Sequence, residues 1–84
     1  MTAENPIAVL RDHLDSLQQQ YGPAHPQVIE AWRHLAELIG QRGDPRGAAS
    51  QYQRLGDTLR ECVGPYDGKV LDAYEAMARW VAGG

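Results

Sequence analysis

The side chains best placed to do chemistry fall in two runs at helical spacing. Glu30, Arg33, His34, Glu37 and Gln41 recur three and four residues apart, and Asp72, Glu75 and Arg79 repeat that spacing further on. On a helix each run lines one face. The chemistry such a face offers is recognition: a mixed-charge groove for a peptide or helix, in which Arg33 can grip a carboxylate through two parallel hydrogen bonds. The competing interpretation is a solvated face carrying weak helical ion pairs. Other residue types lead less far. His13, His25 and His34 lack the close spacing of zinc ligands, and Cys62 is remote from them, so neither metal nor cofactor is expected. His25 precedes Pro26 at a helix start, where capping accounts for it. Cys62, beside Val63, is expected as a small core residue, because nothing nominates a base to activate it. Asp12/Asp15 and Asp72/Glu75 are carboxylates three apart on helix surfaces. Gly64-x3-Gly68-Lys69 misses the G-x4-G-K-[ST] spacing of a phosphate loop. No catalytic residue is expected, and the chain is not read as an enzyme.

The elements that must position these residues are clearly punctuated. Asn5-Pro6, His25-Pro26 and Asp44-Pro45 each place a polar side chain at an N-cap and Pro at the first helical position, where its missing N–H costs nothing. Asp67 supplies a fourth cap without the Pro. Helices are predicted at about 6–21, 26–41, 45–63 and 68–82, ended by Gly22-Pro23, Gly43, Gly64-Pro65 and Gly83-Gly84. Apolar spacing agrees. Ile7, Leu10, Leu14, Leu17 and Tyr21 form one face of the first helix, and Val28, Ala31, Trp32, Leu35, Ala36, Leu38 and Ile39 a wider one on the second. The third carries Ala48, Ala49, Tyr52, Leu55, Leu59 and Cys62/Val63. The fourth carries Val70, Leu71, Tyr74, Met77, Ala78 and Val81, with Trp80 beside them. No run alternates with period two, so the fold class is all-α. Short connections make neighbouring helices antiparallel.

The chain also nearly repeats itself after 42 residues. Gly22-Pro23 returns as Gly64-Pro65, Val28 as Val70, Ala31 as Ala73 and Ala36 as Ala78; Trp32 answers to Tyr74, Leu35 to Met77 and Ile39 to Val81. A period of this length means stacked helix pairs, each burying its apolar face on the next. The units run from about 1–42 and 43–84 within a single domain covering 1–84.

The stretch from Trp32 to Tyr52 resembles a tetratricopeptide repeat. Its spacing W-x2-L-A-x2-I, with a turn at Gly43 and then A-x3-Y from Ala48, follows that family's alternation of large and small residues. The longer, 42-residue unit and the G-P-x-H-P of residues 22–26 resemble the kinesin-light-chain type, which also occurs in bacterial multidomain regulators. The resemblance implies an array of four helices in B-A-B-A order, with half a repeat at each end and the two charged runs on the concave face. It departs from the family in the second unit, which lacks the His-Pro pair. Arg33-His34 and Glu75-Ala76 also replace the family's paired Asn.

Composition narrows the function classes. With 43% apolar and 23% charged residues the chain is globular. A net charge of −3 and the lack of a basic helix argue against nucleic acid and anionic membrane. No signal peptide or membrane span is evident, and one cysteine suits a reducing cytoplasm. The expected function is a non-catalytic protein–protein interaction or scaffold module of the tetratricopeptide type, with a protein or peptide partner. The alternatives are a small ligand-binding or enzymatic helical bundle and a helix-turn-helix nucleic-acid binder. An array with half-repeat ends leaves apolar surface on its last helix. Met77, Trp80 and Val81 are therefore expected to form a self-association face, in a dimer or a domain-swapped dimer opened at the Gly40–Gly47 turn, unless the chain is a piece of a larger regulatory protein.

Overall fold

Proline and glycine divide the chain where they were expected to. The computed structural model describes residues 5–83 and contains, among them, the helices α1 (Pro6–Tyr21), α2 (Pro26–Gln41), α3 (Pro45–Val63) and α4 (Gly68–Gly83). Gly84, expected within the terminating pair, lies outside the described residues. The caps use the anticipated side chains. Asn5 Oδ1 accepts from the Ile7 amide at 3.0 Å, His25 Nδ1 from Gln27 at 3.1 Å, Asp44 Oδ1 from Gly47 at 2.9 Å and Asp67 Oδ1 from Lys69 at 2.8 Å. Each satisfies an amide that the first helical turn leaves without a partner.

The 42-residue period is visible in the backbone. Gly22 (φ 87, ψ 161) and Gly64 (φ 95, ψ 160) adopt the same conformation, which favours glycine because a side chain there meets its own backbone. Their amides close the preceding helices on Gln18 O at 2.9 Å and Arg60 O at 3.0 Å, again 42 residues apart. His25 and Asp67, separated by the same interval, each cap the next helix two residues on.

Helices pack in sequence, α1 on α2, α2 on α3 and α3 on α4, and the Cα atoms fill a plate of 46 × 34 × 13 Å. So thin an array has no centre, and its core is the seam between successive helices. The seam is deepest around α2 and α3, where Val28, Leu35, Ala36, Tyr52, Leu55 and Leu59 are almost wholly buried. Trp32 is 6% exposed, and its indole N–H donates to Gln51 Oε1 at 3.0 Å, tying α2 to α3.

The ends of the apolar stripes depart from expectation. On α1 only Leu14 is fully buried; Ile7, Leu10 and Leu17 are half-buried, and Tyr21 is exposed, stacked on His25 with ring centroids 4.4 Å apart. On α3 the buried stripe stops at Leu59. Cys62 is exposed rather than a core residue, because no element covers the last turn of α3, where Val63 is exposed too. On α4, Leu71, Ala78 and Val81 face solvent. The residues expected in a self-association face, Met77, Trp80 and Val81, differ in exposure. Val81 is free, but Met77 and Trp80 pack against the core.

Truncating the largest seam residue tests this architecture. Trp32→Ala removes a buried indole and its bond to Gln51, at a cost of about 3–5 kcal/mol. That approaches the whole stability of a small domain, roughly 5–15 kcal/mol. Circular dichroism is expected to show loss of the cooperative helical melt.

Candidate functional site

α2 places Glu30, Arg33, His34, Glu37 and Gln41 along its outer side, because its inner side is fully occupied by Val28, Trp32, Leu35, Ala36 and Ile39. These five residues line a groove of about 580 Å³ together with Leu38, Arg79 from α4 and Tyr52 from α3. Six of the eight residues expected in a groove are thus brought together. Asp72 instead borders a small recess with Ile29, Arg33 and Lys69, and Glu75 is exposed outside the groove. The difference follows from helix geometry: Asp72 lies two turns N-terminal to Arg79, too far along α4 to share its opening.

At the base of the groove three helices meet on one oxygen. The Tyr52 hydroxyl donates to Glu37 Oε2 at 2.5 Å, and the Trp80 indole N–H donates to the same oxygen at 3.1 Å. The Tyr52 bond, aided by Trp80 and by the positive charges of Arg79 and Arg33, holds the Glu37 carboxyl below its ordinary pKa; partial burial opposes this without prevailing. Burial first, and then the Glu37 carboxylate, push the Tyr52 hydroxyl up to about 12. A carboxylate held in its ionised form is a weak base.

Neither Tyr52 nor Trp80 was expected at this site. Trp80 reaches Glu37 because Gly40 leaves room for it: a Cβ on Gly40 would stand 2.4 Å from the indole ring. The ring therefore lies across α2. Gly40 is the next-to-last residue of the helix predicted at 26–41, where a glycine reads as a terminating signal, so its position does not announce the side chain that lies over it. Gly56 plays the same part for Tyr74, whose hydroxyl donates to Asp57 and whose pKa is raised chiefly by that bond.

A second groove of about 580 Å³ runs between α1 and α2. It is lined by Leu10, Leu17, Pro26 and Ala31, with His13 and His34 at its edges. Glu30 and His34 border both grooves, so the two adjoin along α2. The fold brings His13 and His34 to one groove from 21 positions apart, a proximity their spacing did not announce. Among the described residues no three His, Cys, Asp or Glu side chains gather as a metal site would require, and no helix is long and apolar enough to cross a membrane.

Two measurements test the junction. In a helix interior Gly→Ala ordinarily stabilises by about 0.5–1 kcal/mol, but Gly40→Ala is expected to destabilise, because overpacking costs about 1–3 kcal/mol. In a Trp80→Ala background the same change should become stabilising, giving a coupling that a double-mutant cycle reads directly. The pH profile is the second. Glu37 is lowered from 4.5, so its contribution is complete above that value and is lost as the pH falls through the folded pKa. Tyr52 is raised from 10.0 to about 12, so stability is lost as the pH climbs through that interval. Tyr52→Phe should shrink both losses in denaturant titrations. No family model, characterised protein or solved structure matches this chain, so the groove itself is the ground for a reading of function.

Proposed function

We propose that this chain is a non-catalytic protein–protein interaction module of the tetratricopeptide type, and that the groove along α2 takes an acidic peptide or helix. One observation carries the reading. Among the described residues Arg33 and Arg79 form no ion pair, while Glu37, the carboxylate at the groove's base, accepts from Tyr52 and Trp80. Among the described residues the one ion pair is Lys69–Asp67, at 3.6 Å. Two guanidinium groups therefore stand on one groove, beside Glu30 and Glu37, with no ion pair to an acid among the described residues. An incoming carboxylate can meet either through the planar fork that makes arginine selective for it. The adjoining α1–α2 groove supplies apolar surface for a neighbouring side chain of the same ligand, and the paired helices with their 42-residue period support the family resemblance.

Fluorescence anisotropy with labelled peptides of matched length and opposite charge tests this proposal. Acidic peptides are expected to bind and to weaken as salt rises, because exposed charges are screened. Arg33→Ala and Arg79→Ala should each weaken binding about tenfold, equivalent to about 1.4 kcal/mol, while leaving the thermal melt in place. Equal binding of acidic and basic peptides, unchanged by either substitution, would move the binding surface elsewhere.

A further inference from the structure

The repeat shows which face of α4 is unpartnered and what shape of element fits it. On α2, Trp32, Ala36 and Ile39 form the strip that α3 covers: Ala36 is wholly buried and Ile39 is 6% exposed. Their counterparts 42 residues later are Tyr74, Ala78 and Val81. On α4, Tyr74 is already laid over Gly56 of α3, but Ala78 is exposed and Val81 is 72% exposed, with nothing among the described residues covering them. The element missing from α4 is thus a helix of the α3 kind, and the same period identifies its counterpart in the chain as α1. Gln51, which holds the Trp32 indole, corresponds to Val9, and Ala48, fully buried in the α2–α3 seam, corresponds to Pro6. Both α1 residues are exposed, and Val9 presents bare apolar surface at 47% exposure.

We propose that a second copy of this chain docks its α1 on the α4 of the first, placing Pro6 and Val9 against Ala78 and Val81 as α3 sits on α2. The contact is head-to-tail. Each copy keeps a free α4 at one end and a free α1 at the other, so association does not close at two. One helix packed on another is a small interface, so assembly is weak and concentration-dependent. Trp80 takes no part, being already laid over Gly40. The proposal rests on the repeat that also supports the proposed function, but not on the groove. Arg33→Ala and Arg79→Ala should leave assembly unchanged, so the two readings can fail separately.

Sedimentation equilibrium across micromolar to millimolar protein, with two exposed-site variants, decides the matter. The 9.3 kDa chain is expected to grow past the dimer as concentration rises. Val81→Glu and Val9→Glu should each be monomeric alone, while their equimolar mixture should form a dimer and nothing larger, since each retains the face the other lost. Thermal melts confirm that each variant folds; should one not, Ala78→Arg replaces the first and Val9→Lys the second. A dimer that survives Val9→Glu but not Val81→Glu would mean α4 pairs with α4, and would overturn the proposal. A dimer surviving both, as a domain swap at Gly40–Gly47 predicts, would overturn it as well. So would a monomer at every concentration, which would assign the α4 face to a helix of a different protein or segment.

Discussion

Everything distinctive about this molecule passes through the Oε2 atom of Glu37. It belongs to α2, receives the Tyr52 hydroxyl from α3 and the Trp80 indole from α4, and so joins three of the four helices at one point. In a plate only 13 Å thick between Cα extremes, no central core can do this job. The apolar seams hold each helix to its sequence neighbour, but α2 and α4 are not neighbours in sequence. What holds α4 across α2 is a ring fitted over a glycine and a hydrogen bond to a carboxylate. Partly withdrawing a carboxylate from water is costly unless its acceptor sites are filled. Here two donors fill one oxygen and two arginines supply a favourable field, which is why the group stays ionised against its burial.

The repeat is kept strictly where backbone conformation demands it and loosely where side chains meet. Gly22 and Gly64 are the same residue in the same conformation because a positive φ admits little else. The caps vary from His25 to Asp67 because any acceptor at that position will serve. At the contacts the two units have diverged in pairs. Gly40 answers to Ala82, and only Gly40 lies under a tryptophan. Glu37 answers to Arg79, so symmetry-related positions carry opposite charges and face one groove. An array of identical units would repeat a single charge along this surface. Divergence has instead set a buried-side carboxylate among cations still free to bind.

This division explains how much could be read from the residues in order. Helix bounds and caps were legible because Pro, Gly and N-cap side chains act within four positions of where they stand. The α2 core was legible because apolar periodicity over a whole buried helix overdetermines its inward face. Five of the six groove residues were legible for the same reason seen from the other side, since they lie on α2 away from its inward face. The errors lie where the answer depends on a distant element. Cys62 and Tyr21 continue correct stripes past the point where a neighbouring helix covers them. Trp80 was expected on an outer face because its inward path exists only where Gly40, on another helix, lacks a Cβ.

The separation between fixed and free groove residues bears on how such a surface can change its ligand. Tyr52, Glu37 and Trp80 are bound to one another, and altering any of them disturbs the joint between α2 and α4. Arg33, His34 and Gln41 are exposed and stand on a helix whose inner face is filled by Val28, Trp32, Leu35, Ala36 and Ile39. Substitutions at such positions ordinarily alter stability by less than about 0.5 kcal/mol. The groove can therefore exchange its recognition chemistry without loosening the array, as long as the junction beneath is left alone. A floor committed to the fold thus lies under a rim of exposed side chains.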